Sequence, residues 1–215
     1  MTKIGTVFSE LLKLIPRFHF DQAVTGYQGD RYTKSFTTWK QFITILYSQI
    51  TRKDSLREIE TGLITQSSRL YHLGLSPVRR STLSDANNRR DYRIFGDLFY
   101  HLLSRCKSLT PKHKFCFKNE LHSIDATTID LCLSVFPWAK FRKTKGAIKL
   151  HCQYDHSGAL PSFIVATDGK QHEALVMKEH EFPLLPDSVS VDRGYLDFKW
   201  LYSLAQKRVY FVTRA

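Results

Sequence analysis

Two aspartates, Asp125 and Asp192, are the residues of this sequence best suited to metal chemistry. Asp125 follows the run Leu121–Ile124 and Asp192 follows the run Ser188–Val191, and both runs mix apolar and polar residues as half-buried β-strands do. We expect each aspartate to lie at a strand end, so that the two carboxylates could meet at one edge of a sheet. Carboxylate oxygens are the ligands that Mg²⁺ prefers, and paired ions promote phosphodiester chemistry. Aspartate is also common in turns, and the spacing alone leaves that structural role open.

The basic residues are concentrated in the first part of the chain. The formal net charge is +12 and the pI is about 9.6. Residues 1–118 contain 20 Lys and Arg against 9 Asp and Glu, whereas residues 119–215 contain 12 against 11. This asymmetry predicts that one part binds a polyanion such as nucleic acid while the other performs chemistry. The alternative is a soluble basic protein whose Lys and Arg side chains are merely solvated.

The composition argues against several classes of protein. Hydrophobic residues make up 42% of the chain and aromatic residues 13%, which is enough for a core and argues against general disorder. The four cysteines form no C-x-x-C pair, and the sequence contains neither a secretory segment nor an apolar run of about 20 residues. We therefore expect reduced thiols, a cytoplasmic location and no membrane partner.

The first half of the chain is patterned as helices. Apolar residues recur at helical spacing, and proline, threonine and glycine supply the breaks and caps. The expected elements are a helix up to residue 17 that Pro16 ends or bends, a loop over residues 18–34, a helix over residues 39–50 capped by Thr37 or Thr38, and a short helix from Asp54 that Gly62 closes.

A turn at Ser76–Pro77 separates the short segment Leu70–Leu75 from a long predicted helix over residues 78–103, which Ser81 or Thr82 would cap. This order resembles a helix-turn-helix, whose second helix reads DNA. A solvated face on an ordinary bundle helix is the other interpretation. The residues on and before the second helix that we expect to contact phosphates or base edges are Arg79, Arg80, Asn87, Arg89, Arg90 and Arg93.

After Glu120 the periodicity changes from helical to strand-like, with period-two alternation over residues 148–154. The predicted fold class is therefore α+β or α/β, with a helical domain over 1–118 and a mixed-sheet domain over 119–215 of order β-β-β-α-β-α-β. The strands are expected at 121–125, 148–154, 160–167, 188–191 and 208–213, and the helices at 172–182 and 198–206.

Several ordered motifs resemble the DDE transposases of bacterial insertion sequences, in particular the IS-four group. In the second half the motifs are Ile124–Ile129, Leu131–Arg142, Lys145–His151, Thr167–His172, Val191–Phe198 and Tyr210–Arg214. In the first half they are Phe8–Leu12, Ser55–Ile59 and Ser81–Asn87, which are similar to the accessory domain of that group.

The resemblance implies a ribonuclease-H-like catalytic domain whose first and fourth strands end in the catalytic residues Asp125 and Asp192. These would hold Mg²⁺ or Mn²⁺ and direct water, and later a DNA 3′-hydroxyl, at a phosphodiester. The implied partner is double-stranded DNA, both at the element ends and at the target. The resemblance further implies a homodimer in a synaptic complex, in the bacterial cytoplasm with the nucleoid.

One departure from the family pattern concerns the third acid. The family places a glutamate in a later helix, within Y-x-x-R-x-x-x-E-x-x-x-x-x-x-K, and no glutamate follows Asp192 in this sequence. We therefore expect an incomplete domain that stops after its fifth strand and is inactive alone. The alternative is a non-catalytic DNA-binding remnant, or an inhibitor of a full-length transposase. Further DNA contacts are expected at Lys140, Arg142, Lys143, Lys145 and Arg193.

Overall fold

The computed structural model describes residues 7–110, 119–131, 146–180 and 188–214. The chain divides into two compact units, Met1–Ser104 and Arg105–Ala215. The division falls within a helix, Arg93–Leu109. The functional assignment to domains 1–118 and 119–215 remains a prediction.

The first unit is helical, as the periodicity indicates. Its described helices are α1 (Val7–Lys13), α2 (Arg17–Gly26), α3 (Thr38–Ile50), α4 (Leu56–Thr65), α5 (Ser67–Leu70), α6 (Arg80–Arg89) and α7 (Arg93–Leu109), with a 3₁₀ turn over Tyr71–Leu73.

The expectation of a loop over residues 18–34 is wrong, because α2 occupies Arg17–Gly26. Phe20 and Val24 are four positions apart, so they lie on one face of α2, and both are buried. The Phe20 ring lies 5.2 Å from the Trp39 ring and 5.3 Å from the Phe42 ring, both of α3. Helix α2 is thus stabilised by aromatic packing against α3.

Side-chain caps define the starts of α3 and α4. The Lys40 amide donates to Thr37 Oγ1 at 3.4 Å, which confirms Thr37 as the cap of α3. The Glu58 amide donates to Ser55 Oγ at 3.2 Å. Helix α4 then continues past Gly62 to Thr65, so the prediction that Gly62 closes it is wrong.

The predicted long helix over residues 78–103 is in fact two helices, α6 and α7. Arg90 lies between them in an extended conformation (φ −82°, ψ 140°). Its side chain is largely buried within the unit. Helix α6 begins at Arg80, so Ser81 and Thr82 lie within its first turn and do not cap it.

The second unit contains a five-stranded mixed sheet. The strands are β1 (Leu121–Leu131), β2 (Gly146–Asp155), β3 (Leu160–Asp168), β4 (Ser188–Val191) and β5 (Tyr210–Thr213), with helices α8 (Glu173–Glu179) and α9 (Phe198–Gln206). Their order across the sheet is β3-β2-β1-β4-β5. β1 and β3 pair antiparallel with β2, whereas β4 pairs parallel with both β1 and β5. The predicted combination of a helical first part and a mixed sheet is confirmed.

The core of the second unit lies between one face of the sheet and the helices α8 and α9. Ile124 of β1 and Val189 and Val191 of β4 are buried together with Val176 of α8 and Leu204 of α9. Each such side chain contributes about 1.5–3 kcal/mol on burial. Because successive strand residues point to opposite faces, the neighbours of these core residues on β1 and β4 face the other side of the sheet.

Candidate active site and DNA-binding surface

Asp125 lies inside β1, which continues to Leu131. The expectation that it ends a strand is therefore wrong, because the pairing with β2 extends β1 to Leu131. The parallel pairing with β4, however, ends at Ile124, whose partner is Val191. Asp125 is thus the first residue of β1 after the stretch that pairs with β4, and Asp192 is the first residue after β4 itself.

This register places the two aspartates side by side at one edge of the β1–β4 pair. Neighbouring strands lie about 4.7–4.9 Å apart, so the two residues are adjacent without any further rearrangement. Both are exposed. They line a cleft of about 430 Å³ that three strands form, with the lining residues Ser123, Ile124, Asp125, Ser190, Val191, Asp192, Val212, Thr213 and Arg214.

Arg214 follows β5 and binds Asp192 across the cleft. Its guanidinium donates to Asp192 Oδ1 at 2.7 Å, and the two side chains are 76% and 50% exposed. The backbone amide of Arg193, and after it the Arg214 guanidinium, lower the pKa of Asp192 below its usual range. Asp192 therefore carries its negative charge at neutral pH. Asp125 accepts a hydrogen bond from the Ala126 amide at 2.8 Å through Oδ1.

The donor set suits a hard divalent cation. Two exposed carboxylates on adjacent strands match the preference of Mg²⁺ for one or two carboxylates together with several waters. Within residues 7–110, 119–131, 146–180 and 188–214, no group of three or more His, Cys, Asp or Glu is arranged to hold a metal ion. The described part of the chain thus offers a two-carboxylate site and no larger one.

The arginines around α6 differ in what their side chains contact. Arg79, Arg80 and Arg89 are exposed. Asn87 is exposed as well, but its Oδ1 accepts a hydrogen bond from Gln41 Nε2 at 2.7 Å. The first three therefore present charge to solvent, whereas the Asn87 side chain supports packing between α3 and α6.

Arg90 and Arg93 are engaged within the helical unit. The Arg90 side chain is only 7% exposed. It donates to the Gly29 carbonyl at 3.1 Å, to Gln41 Oε1 at 2.8 Å and to the carbonyl of Phe36. Arg93 forms a forked pair with Asp91, with Nε donating to Oδ1 at 3.0 Å.

The remaining predicted DNA contacts lie elsewhere in the chain. Arg193 is exposed and directly follows Asp192. Lys140, Arg142, Lys143 and Lys145 lie outside the described residues. No role was predicted for Arg214, although it closes the motif Tyr210–Arg214. The pairing of Val191 with Thr213 brings the next residues, Asp192 and Arg214, together, and the sequence carries no signal for that pairing.

The comparisons with known proteins bear on both parts of the chain. Residues 4–76 match a domain of unknown function, DUF4372. Residues 118–215 match the transposase DDE domain. This second match contains Asp125, Asp192 and the whole five-stranded sheet.

The chain is also similar to a curated relative and to a solved structure. The protein of Sinorhizobium fredii (strain NBRC 101917 / NGR234) named "Putative transposase y4zB" is 29% identical over 140 residues, which are 65% of this chain and 38% of that relative. The piggyBac transposase synaptic complex with hairpin DNA, solved by cryo-EM, is 16% identical with a TM-score of 0.47 and covers 95% of this chain. The chain spans 38% and 48% of the lengths of these two proteins.

Residues 118–215 are thus similar in sequence to a transposase domain, and a stretch of 140 residues is similar to a protein named as a transposase. Transposases of the DDE kind usually use divalent metals, and the two-carboxylate cleft is compatible with that chemistry. Among the described helices, none is both long enough and apolar enough to cross a membrane.

Proposed function

We propose that this chain acts in DNA transposition. Residues 119–215 would be a ribonuclease-H-like catalytic domain and residues 1–118 a DNA-binding domain. The observation that supports this most is the register of β1 and β4, which makes Asp125 and Asp192 neighbours within the segment that matches the transposase DDE domain. The IS-four group is the finer assignment that the sequence motifs favour.

In this proposal Asp125 and Asp192 hold Mg²⁺ or Mn²⁺ through their carboxylate oxygens. The ion, when bound, polarises the phosphodiester and activates the attacking oxygen. The protein contributes the rest: the sheet fixes both carboxylates, and the charges of Arg193 and Arg214 beside Asp192 attract a phosphate backbone. Double-stranded DNA at the element ends and at the target is the substrate, bound by a homodimer.

Arg79, Arg80 and Arg89 are the proposed phosphate contacts of the first domain. Each contact that is lost should reduce the slope of log K against log salt by about 1, and weaken binding to all duplexes alike. Fluorescence anisotropy with a labelled duplex, over a series of salt concentrations, measures this slope. Arg31→Ala is the matched control, because Arg31 is an exposed arginine in another part of the same unit. Equal losses in Arg31→Ala and Arg80→Ala would contradict a role for α6.

A second candidate function is DNA binding without cleavage. It is favoured by the lack of a three-ligand cluster among the described residues. Such a chain would occupy element ends and interfere with a complete transposase. Both functions predict salt-sensitive binding, so binding alone does not separate them.

A nicking assay separates the two. The substrate is a supercoiled plasmid carrying the terminal DNA of the element that encodes this chain, incubated with Mg²⁺ or Mn²⁺. The catalytic proposal predicts nicked circles that Asp125→Asn and Asp192→Asn both abolish. Nicking that survives either substitution contradicts the assignment of these acids, and no nicking by the wild-type chain favours the binding-only function.

Direct metal binding tests the site without DNA. Titration of the 215-residue chain with Mn²⁺, followed by electron paramagnetic resonance, should detect binding that Asp125→Asn and Asp192→Asn remove. Asp197→Asn is the control, because Asp197 caps α9 and pairs with Lys178 at 2.7 Å instead of lining the cleft. If Asp192→Asn binds Mn²⁺ as well as the wild type does, the two-carboxylate site is wrong.

A further inference from the structure

Gly194, two residues after Asp192, lies directly against the carboxylate of Glu173. A Cβ atom on residue 194 would stand 2.0 Å from Glu173 Oε2 and 2.9 Å from Glu173 Cδ. Non-bonded carbon and oxygen atoms do not approach that closely, so only glycine fits while Glu173 keeps its place. A side chain at residue 194 therefore fits only if the Glu173 carboxylate moves.

Glu173 is itself held in place by Lys149 of β2. Lys149 Nζ donates to Glu173 Oε1 at 3.0 Å and to the Gln171 carbonyl at 3.3 Å. The two side chains are only 17% and 25% exposed. A half-buried ion pair with a further backbone hydrogen bond is more rigid than an exposed one, because less water competes for its partners. The surface against which Gly194 packs is thus fixed to the sheet.

Tyr195 fixes the other end of the same turn. Its side chain is 1% exposed, and its hydroxyl lies 3.0 Å from Nδ1 of the fully buried His151. His151 Nε2 lies 2.9 Å from Thr167 Oγ1 of β3. Burial raises the pKa of the Tyr195 phenol and lowers that of the His151 imidazole, so both groups are neutral and can share a hydrogen bond.

Both contacts begin on β2, at Lys149 and His151, which lie two positions apart and so point to the same face of the sheet. The next residue, Cys152, is the backbone partner of Asp125 in the β1–β2 ladder. β2 therefore positions Asp125 through backbone pairing, and it reaches the turn after Asp192 through two side-chain contacts. The position of β2 therefore affects the positions of both carboxylates.

We propose that Glu173 and Tyr195, supported by Lys149 and His151, are positioning residues that hold Asp192 beside Asp125. The inference rests on the proposed two-carboxylate metal site. Asp192 itself follows a strand of only four residues, and its contact with Arg214 is largely exposed. The Tyr195 amide donates to the Asp192 carbonyl at 3.0 Å, so a turn fixed at Tyr195 also fixes the backbone of Asp192.

The test measures Mn²⁺ affinity of the 215-residue chain at a temperature well below unfolding. Gly194→Ala should weaken Mn²⁺ binding about 10–100-fold, which is the range for loss of a group that orients a metal ligand. Gly96→Ala is the matched control, because a Cβ there meets no atom within 4 Å, and its affinity should equal that of the wild type. Unchanged affinity in a folded Gly194→Ala chain would overturn the proposal.

A second pair of variants separates positioning from general damage. In the Gly194→Ala background, Glu173→Ala makes room for the new methyl group and should recover most of the lost affinity. Glu173→Gln keeps an atom at the same place and should recover none. Equal affinities for the two double variants would contradict the role of Glu173, whatever their stabilities.

If Gly194→Ala does not fold, Tyr195→Phe tests the other contact, because it keeps the buried ring and removes only the hydroxyl. The proposal requires weaker Mn²⁺ binding in this variant, and wild-type affinity would overturn it.

Failure of the proposed function can be distinguished from failure of this inference. If the wild type binds no Mn²⁺, or Asp192→Asn binds it normally, the metal site is wrong and this inference falls with it. If Asp192→Asn abolishes binding but Gly194→Ala does not weaken it, only the inference is wrong.

Discussion

Replacing Arg90 by alanine should destabilise the helical unit by about 3 kcal/mol, at the lower end of the range for breaking a buried ion pair. The substitution leaves four acceptors without their donor: the carbonyls of Gly29 and Phe36, Oε1 of the buried Gln41, and Oγ1 of Thr33 at the longer distance of 3.5 Å. Each unsatisfied buried group costs about 1–3 kcal/mol. Asp30, the ionic partner at 3.5 Å, is 38% exposed and regains water, which keeps the total near the lower value.

A loss of about 3 kcal/mol in a unit of this size lowers its Tm by about 12–24 °C. Thermal unfolding followed by circular dichroism measures the shift. Hydrogen exchange of peptides from α6 and α7 shows that the loss of stability lies in the helical unit. The effect is large because the Arg90 side chain is buried and donates to several acceptors of the unit.

Arg89→Ala is the control for this prediction. It removes the same charge one position earlier, but Arg89 is exposed, so its effect on stability should stay within about 0.5 kcal/mol. Arg89→Ala should instead weaken DNA binding. If the two variants unfold at the same temperature, the buried hydrogen bonds of Arg90 do not stabilise the unit and the reasoning is refuted.

Three further predictions can be checked by urea unfolding. Gly29→Ala should cost about 1–3 kcal/mol, because its Cβ would lie 2.6 Å from Cδ1 of the fully buried Ile94; an unchanged midpoint would contradict this crowding. Asp197→Ala should cost about 1 kcal/mol, because Asp197 Oδ1 accepts from the Trp200 amide at 2.9 Å and caps α9. The second unit should lose stability as pH falls below about 6.5, by up to about 1.4 kcal/mol per pH unit, because the unfolded chain takes up a proton that buried His151 does not. His151→Gln should flatten that dependence, and a slope that persists would assign it to another group.

The helices of the first unit could be predicted from the sequence only where several apolar residues recur at helical spacing. Helix α3 and its cap Thr37 were predicted, because the apolar face and the threonine are local signals. Helix α2 was missed, because Phe20 and Val24 are its only buried residues and two residues do not establish a helical period. The break at Arg90 was missed for a related reason, since its hydrogen-bond partners lie 49 to 61 positions away.

The candidate site was predictable in its residues but not in its geometry. Asp125 and Asp192 were selected by local motifs, and β4 was placed at Ser188–Val191 as the structure has it. The continuation of β1 past Asp125 depends on pairing with β2, which periodicity cannot show. Arg214 is a neighbour of Asp192 only because β4 and β5 are parallel and in register, and that register is a property of the folded sheet.

The pairing of β1 with β4 also sets the order in which the second unit can fold. Leu121 pairs with Ser188, which lies 67 positions later in the chain, so this pairing closes a long loop and loses more chain entropy than a hairpin does. The antiparallel strands β2 and β3 are joined by a short turn and can pair early, because closing a short loop loses less entropy. We expect β4 to join β1 late. A partly folded chain in which β4 has not yet paired with β1 would contain both aspartates but would not hold them side by side. The proposed metal site would therefore form only when folding is completed.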